Sequence, residues 1–296
     1  MMKLYNGWLI LNKPKGISSN DAVQKVRRAI GRSNKVGHAG TLDPLAEGVL
    51  PIAIGEATKT VQYLMDARKE YEFTIKWGEE RSTGDAEGEV TAENSHIPNI
   101  DDIKKVLPQF VGDLMQAPPI YSALKINGQP AYKLARQGLD VELALRQISI
   151  YELELLSLDD ESATFRVECG KGTYVRSLAV DMARALGTCG YVSFLKRTRV
   201  GNFLIKDGIM LANLIDLVHN DEISLHLLPV NYGLGDILAI EVDAEQTKAL
   251  RNGLSVFLTS HSQVSQSVIQ ILNEGILQAL VSVDKGLLKP IRVFNL

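Results

Sequence analysis

The sequence is poor in cysteine and histidine, since its 296 residues include two cysteines and five histidines. Cys169 and Cys189 are too few for a disulfide framework, and the histidines lack the short spacings of metal ligands. The sequence therefore predicts no metal site and no disulfide.

Long hydrophobic runs are also missing. The apolar stretch near the N-terminus, residues 8–11, is far shorter than a signal-peptide core or a membrane-spanning helix. A hydrophobic fraction of 45% and a charged fraction of 23% are ordinary for a globular chain. We expect a cytoplasmic protein without a membrane partner, long enough for one large domain and a small one.

A net positive charge is lacking as well, since the formal net charge is −3. The overall charge argues against a nucleic-acid partner, but its distribution argues for one. Basic residues dominate residues 13–35, where Asp21 is the one acidic residue, and residues 171–206, where Asp181 is the one acidic residue. Such runs indicate either solvated faces of helices and strands or an RNA-binding surface.

Residues 36–50 combine glycines, one histidine and one aspartate in a stretch without helical or strand periodicity. Glycines permit positive φ and the close approach of another molecule, which suits a ligand-facing loop around Asp43. Pro44 favours an extended conformation for Asp43. The alternative is a short helix that has Asp43 as its N-cap.

Hydrophobic periodicity predicts the other elements. A helix capped by Ser18 or Ser19 ends at Gly31, and the acidic segment 78–102 is a predicted loop. The pattern further predicts strands over 7–12 and 71–77, two strands within 146–169 and one within 190–206, and helices over 56–65, 101–109, 130–136, 173–186 and 209–218.

Five ordered segments carry a family resemblance. They are LNKPKGISS at 11–19, GHAGTLDPLAEGVLPIAIGEATK at 37–59, KEY at 69–71, CGKGTYVRSL at 169–178 and LKRTRVG at 195–201. Together they resemble the motifs of the TruB-type tRNA pseudouridine synthases, which isomerise uridine 55 in the T loop of tRNA.

The resemblance implies an α+β fold, the pseudouridine synthase fold. A largely antiparallel mixed sheet flanked by helices would occupy residues 1–235. A small C-terminal β-rich, PUA-like RNA-binding domain would occupy residues 236–296. It also implies a stand-alone, cofactor-free isomerase that flips its target base, acts on the tRNA T arm, works as a monomer and needs no obligatory protein partner.

The resemblance assigns the nucleophile to Asp43 and an ion-pair partner to Arg176. Arg176 lies near the start of a predicted helix, where a cation gains nothing from the helix dipole, so a carboxylate partner is expected. The alternative is a surface arginine paired with Asp181. The resemblance further implies that Tyr71 stacks on the target base and that Leu195 lines the base pocket, while Lys13 and Tyr174 support the site.

RNA contacts are implied for several further residues. His38 would help to hold the T loop open, the alternative being a neutral histidine bonded to the backbone. Asp85 lies in RSTGDAEG at residues 81–88, which resembles the family's Thr-Asp-rich motif but departs from it at Ser82 and Gly84. The remaining candidate RNA contacts are Lys171, Lys196, Arg197 and Arg199.

Two other functions fit the same sequence. A non-catalytic RNA-binding or tRNA-folding protein would tolerate the change Asp43→Asn. A guide-RNA-dependent synthase of the dyskerin type shares the motifs but needs partner proteins for activity.

If the two basic segments bind RNA, the affinity for tRNA should fall as salt rises, because each phosphate contact releases counterions. Filter binding between about 50 and about 200 mM KCl measures the slope of log Kd against log salt. A slope well below the equivalent of one phosphate would contradict an electrostatic RNA interface.

Overall fold

The computed structural model describes residues 3–122, 124–126, 128–137, 139, 143–235, 237–258 and 266–296. The strands are β1 (Gly7–Lys13), β2 (Val36–His38), β3 (Glu47–Ile54), β4 (Lys69–Trp77), β5 (Glu79–Arg81), β6 (Val90–Glu93), β7 (Gly112–Gln116), β8 (Lys125–Ile126), β9 (Gln129–Pro130), β10 (Arg146–Leu158), β11 (Ser162–Cys169), β12 (Gly190–Val200), β13 (Phe203–Leu204), β14 (Ile209–Met210), β15 (Ala239–Glu241), β16 (Val256–Phe257), β17 (Gln266–Asn273), β18 (Ile276–Asp284) and β19 (Leu287–Val293). The α-helices are α1 (Ser19–Ile30), α2 (Val61–Met65), α3 (Ile100–Val106), α4 (Ala131–Arg136), α5 (Val175–Ala185), α6 (Leu214–His219) and α7 (Ala244–Arg251).

A large mixed sheet organises the first 210 residues. Within the described ranges it has ten strands, in the order β14-β1-β3-β12-β4-β11-β10-β7, with β2 on β3 and β13 on β12. Its pairs are antiparallel except β1 with β14 and β3 with β12, which are parallel. The prediction of an α+β fold on a largely antiparallel mixed sheet is confirmed.

Strand β1 shows how this sheet is covered on both faces. Its side chains alternate, as the period-two geometry of a strand requires. Leu9 and Leu11 join the core that packs against α1 and α5, whereas Trp8 and Ile10 join a second core on the opposite face. Helix α1 begins at the capping box of Ser18, as predicted, and turns its buried apolar face to the first core.

A second, five-stranded sheet with the order β15-β17-β18-β19-β16 packs on that opposite face. Its Leu280, and Phe294 directly after β19, are fully buried in one cluster with Trp8. Its other face forms a separate core with Leu250 of α7. The domain boundary at 235/236 and the PUA-like character of this sheet stay predictions, and Asp236 lies outside the described residues.

Two predicted elements are wrong. The segment 78–102 is not a plain loop, because β5 and β6 pair as a hairpin in it; the residues of β6 are exposed, so no buried alternation marked the strand. The helix expected over 209–218 starts only at Leu214, because Ile209 first pairs in parallel with β1. Tertiary pairing overrides local helix propensity there.

The helix expected over 56–65 is also interrupted. It consists of a 3-10 segment, Gly55–Lys59, followed by the short α2. Among the described residues, no helix is both long and apolar enough to cross a membrane.

Phe294 is the clearest test of how the two sheets are joined. It is fully buried between them, so Phe294→Ala should lower the free energy of unfolding by about 3 to 5 kcal/mol, as for other buried Phe→Ala changes. Urea denaturation measures the change. The control is Phe257→Ala in the same sheet, where the ring is 57% exposed and a change below about 0.5 kcal/mol is expected. Equal losses in the two variants would contradict the packing described.

Candidate active site

Asp43 lies in the loop between β2 and β3. The loop is not the helix that the alternative required: the Ala46 amide donates to the Asp43 carbonyl at 3.1 Å, and this single turn leads directly into β3. The Asp43 side chain is 33% exposed. The glycine-rich segment therefore presents its carboxylate at a loop edge, as the sequence predicts.

Elements on the N-terminal side of the chain hold this loop. The Ser19 hydroxyl and the main chain of Leu42 are paired through both the Leu42 amide and carbonyl at 2.8 Å. The fully buried Lys13 donates to the carbonyls of Pro14 and Ile17, and at 3.4 Å to that of Pro44. Lys13 thus supports the loop without reaching its carboxylate.

Arg176, near the start of α5, is 4% exposed and points at Asp43. Its Nε donates to Asp43 Oδ2 at 2.9 Å, so the two residues form the ion pair that the resemblance implies. The alternative partner, Asp181, instead has Arg184 and Glu80 as its charged neighbours: burial raises the pKa of its carboxyl, Arg184 lowers it and Glu80 raises it. Arg176 orients one oxygen of the carboxylate, and Asp43 Oδ1 accepts no hydrogen bond from the described residues.

The rest of the Arg176 guanidinium is bound as well. Nη1 donates to the Thr83 carbonyl at 2.8 Å and lies 3.4 Å from Asp85 Oδ2, while Nη2 donates to the Tyr121 carbonyl at 3.0 Å. Asp85 is 2% exposed. The prediction that Asp85 contacts RNA is therefore wrong: its carboxylate is buried behind Arg176 and balances that cation.

Two tyrosines lie within electrostatic reach of Asp43. Burial raises the pKa of Tyr71 and of Tyr174, and the negative charge of Asp43 raises both further. Both are therefore neutral phenols near pH 7. Tyr71 is partly buried in β4, and Tyr174 precedes α5, with its amide and carbonyl both bonded to the side chain of Gln116.

Strand β12 carries two of the predicted site residues into the interior. Leu195 is 4% exposed and packs in the core that also contains Leu42; whether it lines a base pocket stays a prediction. Arg197 is 1% exposed and donates to three main-chain carbonyls. The prediction that Arg197 contacts a phosphate is wrong, because all of its donating nitrogens are engaged inside the protein.

His38 ends β2 and is half-buried. Burial lowers the pKa of its imidazole, and the charge of Arg197 lowers it further, so the ring is neutral near pH 7. Its Nδ1 is buried and has no hydrogen-bond partner among the described residues. The alternative of a histidine bonded to the backbone does not hold for this nitrogen.

The remaining basic candidates differ in exposure. The side chain of Lys171 is 70% exposed and lies 2.9 Å from Asp66, whereas those of Lys196 and Arg199 are 32% and 27% exposed. Arg199 is held by Glu168 at 3.0 Å. Of these three cations, Lys171 is therefore the most accessible to a phosphate. Arg199 can contact a phosphate only if its guanidinium binds the phosphate and Glu168 together.

Sequence reasoning missed the carbonyls of Thr83 and Tyr121 and the side chain of Gln116. Thr83 lies in the segment 81–88, whose resemblance the sequence shows, but main-chain acceptors such as the carbonyls of Thr83 and Tyr121 carry no residue-type signal. Gln116 is 4% exposed, and a buried amide of this kind looks like any surface glutamine in the sequence. Within the described ranges, no three His, Cys, Asp or Glu side chains form a cluster that could hold a metal.

Comparisons with known proteins come from family profiles and from curated sequences. The profile of the "TruB family pseudouridylate synthase (N terminal domain)" matches residues 27–175, and that of the "tRNA pseudouridylate synthase B C-terminal domain" matches residues 176–235. A tRNA pseudouridine synthase B from Caulobacter vibrioides is 44% identical over 300 residues, which cover 98% of this chain and 96% of the relative. One from Ehrlichia chaffeensis is 45% identical over 294 residues and covers 98% and 99%.

Among solved structures, a Cbf5-Nop10-Gar1 complex contains a chain that matches 98% of this one with a TM-score of 0.76. The two are 26% identical, and the match covers 84% of that chain. The arrangement of both sheets therefore recurs in a known protein.

Lys13 offers a test of the electrostatics around the loop. Burial lowers its pKa from 10.5 to about 8, so the unfolded chain binds more protons at this site between these values. Stability contributed by this site should then rise as the pH rises from about 8 to about 10.5, because the buried charge is lost. Urea denaturation of the wild type and of Lys13→Met at pH 8 and 10 measures it.

The comparison with Lys13→Met is designed to cancel the titration of other groups, such as Lys69, whose pKa burial lowers to about 8 in the wild type. The free energy of unfolding of the wild type, relative to that of the variant, should be larger at pH 10 than at pH 8. A difference in stability that does not change between pH 8 and pH 10 would mean that folding does not lower the pKa of Lys13.

Proposed function

Because the chain belongs to the TruB family of pseudouridylate synthases, we propose that it converts uridine 55 in the T loop of tRNA to pseudouridine. It does so alone and without a cofactor, with Asp43 as the nucleophile. Curated relatives named tRNA pseudouridine synthase B, matched over nearly the whole chain, support tRNA as the substrate. The observation that carries the mechanism is the carboxylate of Asp43, bound by Arg176 through one oxygen only.

The proposed reaction depends on the position of the carboxylate more than on its intrinsic nucleophilicity. Asp43 attacks either C6 of the uracil or C1′ of the ribose, the N1–C1′ bond breaks, and the detached base turns. C5 then bonds to C1′, and the bond made by Asp43 breaks: C1′ releases the carboxylate as it bonds to C5, or C6 releases it as the C5–C6 double bond is restored. C5 loses its proton and N1 gains one, so atoms and electrons balance without an oxidant or reductant and Asp43 is regenerated. A carboxylate suffices as nucleophile when it is charged, oriented and shielded from water.

The geometry favours such an anion. Arg176 takes one oxygen of Asp43 and leaves Oδ1 for the substrate, while the three other partners of the guanidinium prevent it from turning away. Tyr71 offers a flat aromatic face and a neutral hydroxyl, which suits a uracil that has left its own stack. We assign Tyr71 to stacking on the target base.

The target base must leave the helix stack, which costs a few kcal/mol. A neutral imidazole with a free buried nitrogen, His38, is suited to occupy the gap and to accept or donate one hydrogen bond. Phosphate contacts are assigned to Lys171 first, and then to Lys196 and Arg199. Their acidic neighbours make each contact weaker than that of an unpaired lysine.

The proposal is tested with purified protein and an unmodified tRNA transcript, by mapping pseudouridine along the sequence. Wild-type protein alone should form pseudouridine at position 55. Asp43→Asn keeps the shape of the side chain but removes the nucleophile, so single-turnover formation should fall by roughly four orders of magnitude or more. The matched control is Asp216→Asn on the exposed face of α6, which should retain the wild-type rate.

The two alternatives predict different results. A guide-dependent synthase would give no product from transcript and protein alone, although tRNA binds. A tRNA-folding protein would give no product either, and its effect on tRNA folding would survive Asp43→Asn. Product at position 55 that persists in Asp43→Asn would refute the assigned nucleophile.

A further inference from the structure

Arg197 is one of the largest side chains in the protein that are fully buried. Arg197 belongs to the basic segment 171–206, but its side chain lies on the buried face of β12, the face that also carries Leu195. Burying a guanidinium is costly unless its donors are satisfied, and an apolar side chain of similar size often stabilises such a site as well or better. A buried arginine therefore calls for an explanation other than stability alone.

The guanidinium spans the two ends of the loop that carries Asp43. Nη2 donates to the Gly40 carbonyl at 3.0 Å and Nη1 to that of Thr41 at 3.3 Å, both before Asp43. Nε donates to the carbonyl of Val49 at 2.8 Å, after it. One planar group therefore fixes the distance between the entry to the loop and its exit.

The main chain of Arg197 holds the same loop from a second side. Arg197 pairs in parallel register with Gly48 of β3. A Cβ atom at Gly48 would lie 2.2 Å from the Arg197 carbonyl oxygen, so this close approach requires glycine, and Gly48 also has φ +106°. The loop end is thus fitted against the backbone of Arg197 as well as bonded to its side chain.

The charge of Arg197 is not cancelled by a carboxylate. Within the described residues no Asp or Glu oxygen lies within 4.0 Å of it. Its partners are the three main-chain carbonyls and the hydroxyl of Tyr71, whose pKa it lowers by its charge and by a hydrogen bond, against the larger effect of burial. Its positive charge contributes to lowering the pKa of Lys13 and of His38 on either side of the loop. A permanent cation therefore faces the backbone beneath Asp43.

We propose that Arg197 is a positioning residue for the proposed reaction: it holds the backbone of the Asp43 loop, as Arg176 holds the carboxylate. This inference rests on the proposed function, because Asp43 is the group that is positioned. Arg197 acts on the rate of the chemical step and does not contact tRNA. A displacement of about 1 Å at a reacting group is enough to slow a reaction about 100-fold.

The test compares Arg197→Gln and Arg197→Lys with the wild type, by single-turnover pseudouridine formation at saturating tRNA and by the Kd for tRNA. Arg197→Gln should slow formation about 100-fold and change Kd by less than about threefold. Arg197→Lys keeps the charge but cannot span both loop ends, so it should recover only part of the rate. The control is Arg166→Gln, an exposed arginine of β11 paired with Glu154, which should change neither quantity.

Other outcomes overturn the proposal. A weaker Kd with an unchanged saturating rate would make Arg197 an RNA contact. A slower rate that is accounted for by a smaller folded fraction, measured by urea denaturation of the same samples, would make Arg197 a stabilising residue only. A full rate in Arg197→Lys would mean that charge, and not the span between the loop ends, is what matters.

Hydrogen exchange separates this proposal from the proposed function, since it needs no activity. The amides of Ala39, Leu42 and Ala46 are hydrogen-bonded in the loop, and they should exchange faster in Arg197→Gln than in the wild type. Amides of β10 should not change. If the wild type forms no pseudouridine, the proposed function fails, and the exchange still decides whether Arg197 holds the loop.

Discussion

The site depends on the burial of Arg176 between two carboxylates. Its guanidinium donates to Asp43 in one loop and to the Tyr121 carbonyl in another segment. In the β5–β6 hairpin it donates to the Thr83 carbonyl and forms an ion pair with Asp85. A buried guanidinium is costly unless its charge is matched and its donors are bonded, and the two carboxylates without it would repel each other. Three segments distant in sequence are therefore held together by one cation.

Two buried arginines divide the work around Asp43. Arg176 binds a side-chain oxygen, and its charge is balanced by acids, so it orients the group expected to react. Arg197 binds main-chain carbonyls of Gly40, Thr41 and Val49, which lie on both sides of Asp43 in the loop, and we propose that it holds the loop in place. Orientation and location are separate requirements for a nucleophile, so the roles proposed for the two arginines, one in α5 and one in β12, are distinct.

How far the sequence predicts this arrangement depends on the kind of signal. Periodicity predicted α1 and β4, because each buries one face against a single core. The hairpin at 79–93 was missed, because its outer strand is exposed throughout and leaves no hydrophobic alternation. The resemblance indicated Arg176 and Asp43 as a pair, but the hydrogen bonds from Arg176 to the carbonyls of Thr83 and Tyr121 form only when segments distant in sequence meet.

The error at Arg197 has a physical cause that could have been read from strand geometry. In a basic run, solvated and buried residues look alike by type, and charge alone favours the surface for all of them. Position in the strand is more informative, since Leu195 and Arg197 are two residues apart and therefore lie on one face. Once Leu195 is placed in the core, Arg197 is expected to follow it inward.

Strand β3, whose Val49 carbonyl accepts from Arg197, also connects the Asp43 loop to the C-terminal sheet. The carbonyl of Val49 accepts from Arg197, while its side chain packs in the cluster that contains Trp8, Leu280 and Phe294. A close-packed core transmits displacement instead of absorbing it. Val49 therefore links the loop that carries Asp43 to the packing between the two sheets, because its carbonyl takes part in one contact and its side chain in the other.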